Sequence, residues 1–452
     1  MKRIIILLNL IVALNTIVLA QKAETKPWNY NISIDFKDST LYFDVNLKAF
    51  RIKNRIQNYF LFNRYITIDE AYLNNDTLNF SRSNDTLYFK TNDDELNINL
   101  RYKIPCSVYE SLKIIKAYSD SVFAYPVQFD KNQIFFERHN KFFPVIYDNF
   151  SNFEVNISVP GSYKVLGEYS ETNTQKSKNK IIYSYKFFDE DLRFLITKSD
   201  IFQYEKLIEY NNTYFKFSFL PKKKRLLSLT NNTPKYATET SQMDSIYNVI
   251  SNRSVEAFKW YNNNLWEQKF DTLEFVESGI FGVALNMRRF ILFDRSLMNM
   301  EAIDKYWFSH EIGHFWVGYN IKYLSKGFYF LAESIDEFNN LLFFESWAGK
   351  TEFENAIKNK INMEYSDKPF FTVTFDQVLN QRNSVLKTEI IYNKGVVFVY
   401  EFFKMIGKEK YLKIIRDTYF NPKHPITLTD FEENIKKNGC WDEYLKLFEL
   451  NI

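Results

Sequence analysis

The spacing of apolar residues changes once along this chain, and that change constrains the fold more than any other feature. Before about residue 220, segments such as NISIDF (31–36), LYFDVNL (41–47) and LNINLRY (96–102) alternate apolar and polar side chains. This alternation is typical of strands with one buried face. After about residue 236, apolar residues recur every three or four positions, as in 241–263, which predicts helices.

The segment between the two patterns has the composition of a linker. LPKKKRLLSLTNNTP (220–234) is basic and follows neither spacing, and a solvated face is the usual role of such a charge run. With 452 residues, the chain is long enough for two or three domains. We predict an α+β multidomain protein with an antiparallel β domain over 21–219, a linker over 220–235 and a mainly helical domain over 236–452.

Charge and cysteine content exclude several classes of protein. The chain has 58 basic and 55 acidic side chains, and this near-balance disfavours a nucleic-acid binder that relies on phosphate contacts. Its two cysteines, Cys106 and Cys440, are too few for a disulfide scaffold or a cysteine-rich zinc module. Any metal site must therefore use histidine and carboxylate ligands.

The N-terminus has the pattern of a secretory signal. Lys2 and Arg3 precede an apolar run over 4–19, and Ala20 stands where a signal peptidase cleaves. We predict a signal peptide over 1–20 and export to a periplasm or to the exterior. The alternative is an uncleaved anchor, but the run is short for a span and carries two asparagines. No later stretch approaches ~18 uninterrupted apolar residues, so no stable membrane span is expected after cleavage.

The sequence HEIGH, from His310 to His314, is the strongest chemical signal. It lies in a helix predicted over 302–319. On a helix, residues i and i+4 share one face, so both imidazoles can reach one cation. Glu311 stands beside them and can polarise a metal-bound water. With four histidines in the whole chain, no other histidine cluster competes for the metal.

Acidic residues further along the chain can complete the site. A catalytic zinc needs three protein ligands and one open position. Glu333 follows the second histidine after 18 residues, on the next predicted helix, among apolar neighbours. Glu337 lies one turn later and can accept a hydrogen bond from a ligand histidine. Asp336 competes for that role, and for either acid a solvated helix surface is the alternative.

At these residues the chain resembles the M1 aminopeptidase family of zinc metallopeptidases. Trp316 and Gly318 stand where the family has Trp and Gly, and Glu333 lies in LAES where the family has Leu-Asn-Glu-Gly. Tyr392 begins YNKG, which is similar to the family's Tyr-x-Lys-Gly. The resemblance implies one Zn²⁺ held by two histidines and a glutamate. It also implies that Glu311 is the general base and that Tyr392 donates a hydrogen bond to the tetrahedral intermediate.

The resemblance extends over roughly residues 25 to 450. FFPVIYD (142–148) and FEVNISVPGSYKVLG (153–167) are similar to the family's N-terminal domain. The implied fold is a saddle-like antiparallel β domain followed by a thermolysin-like catalytic domain. Many members continue into a C-terminal helical domain, whereas this sequence reaches Ile452 just after the catalytic-domain helices. A short form with a more open cleft is the expectation.

The family's substrate loop, Gly-Ala-Met-Glu-Asn, corresponds here to Gly282, Val283, Ala284, Leu285 and Asn286. Leu285 replaces the glutamate that binds the free α-amine of the substrate in the family. A leucine cannot make that charge-assisted bond. Peptides or proteins are the expected substrates, but an endopeptidase or another specificity is the alternative to an aminopeptidase. A catalytically silent peptide-binding protein is the alternative from a different class.

Overall fold

The computed structural model describes residues 28–452 except for short intervals between the elements. The intervals outside the described residues are 38–39, 51–56, 64–65, 106–127, 130–132, 138–152, 168–170, 188–192, 203, 221–224, 231–232, 238–239, 279–283, 295–306, 323–324, 363–372 and 382–387. The chain forms two compact units, Met1–Asp200 and Ile201–Ile452.

Strands make up the described part of the first unit. They are β1 (Trp28–Lys37), β2 (Thr40–Phe50), β3 (Gln57–Leu61), β4 (Thr67–Leu73), β5 (Asp76–Thr77), β6 (Phe80–Ser83), β7 (Thr86–Lys90), β8 (Glu95–Pro105), β9 (Gln128–Phe129), β10 (Gln133–Glu137), β11 (Phe153–Pro160), β12 (Tyr163–Gly167), β13 (Glu171–Lys176), β14 (Lys180–Phe187) and β15 (Arg193–Lys198). They form sheets of eight strands (β13-β14-β11-β1-β2-β8-β4-β5), four strands (β12-β15-β10-β9) and three strands (β3-β7-β6).

The eight-stranded sheet is antiparallel at every described pairing except β1 with β11, which is parallel. Its strands bury alternate residues, such as Tyr30, Ile32 and Ile34 of β1, as the sequence pattern predicts. Burial of these apolar side chains stabilises the fold by about 25 cal/mol for each Å² of apolar surface that is removed from water. Asn74 and Asn75 take positive φ values of 51° and 75° in the turn between β4 and β5. Asparagine tolerates this conformation better than most residues.

The second unit contains a five-stranded sheet, a two-stranded sheet and the helices. Its strands are β16 (Tyr204–Tyr210), β17 (Thr213–Phe219), β18 (Arg225–Thr230), β19 (Thr233–Ala237), β20 (Thr272–Ser278), β21 (Leu285–Asn286) and β22 (Phe290–Asp294). Its helices are α1 (Thr240–Asn264), α2 (Trp307–Gly313), α3 (Ile335–Ala348), α4 (Lys350–Ile361), α5 (Phe375–Leu379), α6 (Val396–Ile406), α7 (Lys408–Tyr419), α8 (Leu428–Lys437), α9 (Trp441–Lys446) and a 3₁₀ turn (Leu447–Glu449).

The compact units divide at Asp200, whereas the sequence placed the end of the β domain at residue 219. β16 and β17 lie in the second unit because β17 pairs in parallel with β20, which follows α1. The five-stranded order is β16-β17-β20-β22-β21. A parallel pairing across a helix joins residues that are distant in sequence, and alternation of side chains cannot reveal it.

Two segments of π-helix interrupt the helical half. Phe330–Ser334 leads directly into α3, and Thr388–Gly395 leads directly into α6. The two segments contact each other, because the Ser334 hydroxyl donates a 2.8 Å hydrogen bond to the carbonyl of Ile391. A π-helical turn rotates side chains relative to an ordinary helix and is frequent at functional sites.

The predicted fold class is confirmed, since strands precede a helical region and the described helices fall where helical spacing occurs. One helix is shorter than expected. α2 ends at Gly313, and the chain then turns through bonds from Phe315 N to the Ile312 carbonyl and from Trp316 N to the Gly313 carbonyl. Within the described part of the chain, no helix has the length and apolarity needed to cross a membrane.

Candidate metal centre

Three side chains from two neighbouring elements bring ligand atoms to one point. His310 lies in α2, His314 directly follows α2, and Glu333 lies in the π-helical segment before α3. One potential ligand atom of each lies within 4.8 Å of the others. Glu333 Oε2 is 3.5 Å from His310 Nε2 and 3.6 Å from His314 Nε2. Two imidazole nitrogens and one carboxylate oxygen are a donor set that zinc accepts.

The far nitrogen of each imidazole faces an acceptor. His310 Nδ1 lies 3.1 Å from Glu337 Oε2, and His314 Nδ1 lies 3.0 Å from the carbonyl of Val317. An acceptor on Nδ1 favours the tautomer that leaves Nε2 free for a metal. Both Nε2 atoms lie within 3.6 Å of Glu333 Oε2, so the orientation of the two rings agrees with metal binding.

Asp336 is completely buried between the two histidines. Its Oδ2 lies 3.4 Å from His310 Nδ1 and 3.5 Å from His314 Nδ1. Burial raises the pKa of Asp336 well above its usual value, and Glu333 and Glu311 raise it further. Both acids that the sequence offered as partners for His310, Asp336 and Glu337, therefore lie near its Nδ1 atom. Glu337 is the nearer acid, and Asp336 lies close to both rings.

Surplus negative charge makes this point favourable for a cation. Burial alone lowers the pKa of His310, but hydrogen bonds with Glu333 and Glu337 raise it well above its usual value. Positive charge is therefore stabilised at His310. Burial lowers the pKa of His314, and His310 lowers it further, which favours the neutral imidazole that binds metals. The donor set and the orientation of both Nε2 atoms toward Glu333 fit a zinc ion held by His310, His314 and Glu333.

Two glycines allow the close packing around the histidines. Gly318 has φ +121°, and a Cβ at this position would lie 2.5 Å from His314 Nδ1. Gly313 lies inside the HEIGH motif, where a Cβ would overlap Asp336 Oδ1 and the Tyr261 hydroxyl. A larger residue at either position would displace a histidine or the acid beside it.

Glu311 is held by β21, the short strand at the end of the substrate-loop motif. Its Oε2 accepts a 2.7 Å hydrogen bond from the backbone N–H of Asn286, and the Asn286 side-chain amide donates to the Glu311 carbonyl. Asn286 is oriented in turn by the Tyr319 hydroxyl and by the Arg288 N–H, which both donate to its Oδ1. The carboxylate proposed as general base therefore has a fixed position beside the histidines.

Tyr392 lies in the second π-helical segment, and its hydroxyl donates a 2.6 Å hydrogen bond to Glu333 Oε2. Its ring centroid is 5.6 Å from that of His310. Burial raises the pKa of Tyr392 well above its usual value, and the negative charge of Glu333 raises it further. The phenol is therefore protonated at neutral pH and can act as a hydrogen-bond donor.

Only the second half of the predicted substrate loop lies within the described residues. Gly282 and Val283 lie outside the described residues. Ala284 and Leu285 are half-buried, and Leu285 pairs with Leu292 across β21 and β22. For these residues and for Asn286, substrate binding stays a prediction.

Sequence reasoning missed the residues that orient the site from a distance. Lys360, Asn340 and Tyr319 are not part of any motif in the sequence. Lys360 and Asn340 both donate to Glu337, and Tyr319 donates to Asn286. Asn340 follows Glu337 at helical spacing, which is a weak signal. Lys360 lies on another helix and gives none.

Comparison with known proteins identifies the fold. No protein-family model and no curated protein matches the sequence. Solved structures do match across both units. A mutant M1 zinc metallopeptidase from Deinococcus radiodurans bound to a Tyr-Ser-Ala substrate has a TM-score of 0.59 at 10% identity, covering 94% of this chain and 93% of that chain.

Two further structures show the same likeness. Legionella pneumophila aminopeptidase A in complex with aspartic acid has a TM-score of 0.62 at 13% identity, covering 93% of this chain and 49% of that chain. Native yeast LTA4 hydrolase has a TM-score of 0.59 at 12% identity, covering 94% of this chain and 66% of that chain. The chain therefore has the fold of the M1 zinc metallopeptidases, a β domain followed by a mainly helical domain.

Proposed function

We propose that this protein is a zinc-dependent peptidase of the M1 aminopeptidase type, in which Glu311 is the general base. The observation that carries the proposal is the convergence of His310, His314 and Glu333 beside Glu311 and Tyr392. Two further observations support it: the chain has the fold of the M1 zinc metallopeptidases, and the segments that carry Glu333 and Tyr392 are joined by the bond from Ser334 to Ile391.

The chemistry follows from the residues in place. Zinc held by His310, His314 and Glu333 would supply a Lewis acid that lowers the pKa of water and polarises a peptide carbonyl. Glu311 takes the proton of the attacking water and then delivers it to the leaving amine. The Asn286 amide keeps the Glu311 carboxylate in one orientation, so little reorganisation precedes the proton transfer.

Tyr392 is proposed to stabilise the oxyanion that develops on the substrate carbonyl. Its hydroxyl is protonated and lies 2.6 Å from Glu333 Oε2, so a hydrogen-bond donor stands beside the centre at which a substrate carbonyl would be polarised. A preorganised donor of this kind acts mainly on the transition state and costs little reorganisation.

The proposed substrates are peptides or proteins. Whether a free N-terminus is required depends on the substrate loop over 282–286, which precedes the HEIGH motif. The Deinococcus radiodurans structure holds a Tyr-Ser-Ala substrate, and the Legionella pneumophila structure holds aspartic acid. Leu285 cannot pair with a free α-ammonium. This residue favours a second candidate function, a peptidase that does not require a free N-terminus. Nucleic acid is not proposed as a partner, and export through the N-terminal signal remains part of the proposal.

Glu311→Gln tests the mechanism. The variant keeps the size of the side chain and an oxygen that can accept from the Asn286 amide, so zinc content is expected to equal that of wild type. Hydrolysis is expected to fall by about 10²–10⁴-fold, the usual contribution of a general base. Zinc content is measured by elemental analysis and turnover with a quenched fluorescent peptide. Full activity in this variant would reject the mechanism.

A pair of peptide panels tests specificity. The panels have the same sequences and differ only in a free or acetylated N-terminus. Cleavage limited to free N-termini would support an aminopeptidase, and cleavage of both panels would support the second candidate. Zinc binding without turnover on either panel would favour a silent peptide-binding protein.

A further inference from the structure

Lys360 links α3, which carries Glu337, to the π-helical segment that carries Tyr392, although Lys360 itself lies on α4. It is near the end of α4, and its ammonium donates a 2.7 Å hydrogen bond to Glu337 Oε1. The same ammonium donates a 2.8 Å hydrogen bond to the backbone carbonyl of Tyr392. One side chain therefore contacts both the acid behind His310 and the backbone of the proposed catalytic tyrosine.

The ion pair is enclosed. The side chains of Lys360 and Glu337 are 11% and 12% exposed. One Glu337 oxygen, Oε1, accepts from the Lys360 ammonium, and the other, Oε2, lies 3.1 Å from His310 Nδ1. The carboxylate thus lies between the lysine and the imidazole. An enclosed pair with good geometry is costly to break, because the remaining charge loses its partner.

A second lysine also links α4 to the π-helical segment of Tyr392, and this lysine belongs to the π-helical segment rather than to α4. Lys394, in the π-helical segment with Tyr392, donates a 3.1 Å hydrogen bond to the carbonyl of Ile361 at the end of α4. The helix end and the π-helical segment are thus joined by two lysine side chains. Lys360 is the one that also reaches the acid beside His310.

We propose that Lys360 is a positioning residue for the metal centre, which holds Glu337 against His310 and the backbone of Tyr392 beside Glu333. The proposal rests on the proposed function for its effect on turnover, whereas its effect on zinc affinity does not require any peptidase activity. Groups that contact a metal ligand directly usually contribute about 10–100-fold to metal affinity. Glu337 is such a group, and Lys360, which acts on the ligand through it, is expected to contribute no more than this.

The test compares Lys360→Met with Lys358→Met, a matched control on the exposed surface of the same helix. Zinc affinity is measured by competition with a chelator after removal and return of the metal. Lys360→Met is expected to bind zinc about 10-fold more weakly, the lower end of the range for direct partners of a ligand, and to lower kcat more than it changes KM. Lys358→Met is expected to match wild type, and Lys360→Arg, which keeps charge and donors, is expected to recover most of the loss.

A double-variant cycle separates positioning from general destabilisation. If Lys360 acts on the metal through Glu337, Lys360→Met lowers zinc affinity little further in a Glu337→Gln background. The double variant also removes both buried charges together, which keeps the test open if the single variant does not fold. Wild-type zinc affinity in Lys360→Met, an equal loss in Lys358→Met, or fully additive losses would each overturn the proposal. Absence of turnover in wild type, with zinc affinity still lost in Lys360→Met, would reject only the peptidase function.

Discussion

Gly318→Ala tests whether the close approach of the Gly318 backbone to His314 is needed for zinc binding. Gly318 has φ +121°, a conformation that residues with a Cβ rarely adopt. The added methyl would lie 2.5 Å from His314 Nδ1, well inside contact distance. The ring must therefore move, and with it the bond between Nδ1 and the Val317 carbonyl at 3.0 Å. The substitution reaches the metal through one displaced imidazole.

Gly318→Ala is expected to lower both the free energy of unfolding and the affinity for zinc, and these are measured separately. Backbone strain at a positive φ costs about 1–3 kcal/mol of unfolding free energy. Displacement of His314 and loss of its Nδ1 acceptor are expected to weaken zinc binding about 10–100-fold. That factor corresponds to ~1.4–2.7 kcal/mol at 25 °C. Stability without metal and affinity for metal should therefore both fall.

Gly407→Ala is the control. Gly407 has φ +80° between α6 and α7, and no heavy atom lies within 4 Å of a Cβ at that position. It carries strain of the same order without contact to a histidine. Denaturant unfolding of the metal-free proteins is expected to show a loss for both variants, with the larger loss for Gly318→Ala because the clash with His314 adds to the backbone strain. Chelator competition is expected to show a loss of zinc affinity for Gly318→Ala alone.

Two outcomes would refute this reasoning. Wild-type zinc affinity in Gly318→Ala would mean that His314 is not held by the close approach of the backbone. An equal loss of affinity in Gly407→Ala would mean that zinc binding follows overall stability rather than the position of the ring.

The other predictions concern the groups around the same centre. Tyr392→Phe is expected to lower kcat by about 10²–10³-fold with unchanged zinc content, because an oxyanion donor is lost; unchanged kcat would remove Tyr392 from the mechanism. Glu337 has its pKa lowered from 4.5 to about 2, so its stabilisation is complete above pH 4.5 and is lost as pH falls through 2. The stability advantage of metal-free wild type over Glu337→Gln is therefore expected to shrink by up to about 3 kcal/mol between pH 5 and 2 in acid-unfolding measurements. A constant difference would mean that Glu337 is not charged in the folded protein.

Local sequence patterns predicted much of the fold and the ligand candidates. The two-residue alternation predicted the strands of the first unit, because burial of one face is set by neighbouring positions on a single strand. The HEIGH spacing predicted that two imidazoles reach one point, and they do, although His314 lies in the turn just after α2. The structure brings Glu333 to them, at the end of a loop whose length alone allowed several paths.

The strands that sequence reasoning placed differently depend on distant partners. β16 and β17 follow the strand pattern of the first unit, yet they lie in the second because β17 pairs with β20. This pairing joins segments separated by many residues, so the periodicity of a single strand does not reveal it. The end of α2 has a local cause: the helix stops at Gly313 rather than near Tyr319, and Phe315 and Trp316 continue the chain as turns, with Gly318 packed against His314. Helical spacing alone does not show where such a turn begins.

Composition and local patterns are enough to predict the class of the fold and the types of donor atom available for a metal. With two cysteines and four histidines, the HEIGH motif can build only a histidine–carboxylate site. Only the packed structure shows which charged groups surround the two histidines. Asp336 lies between both rings, Glu337 lies beside His310, and Lys360 reaches Glu337 from another helix. Helical spacing relates residues within one element, whereas a buried charge is stabilised by whichever opposite charge the packing of separate elements brings within a few ångströms.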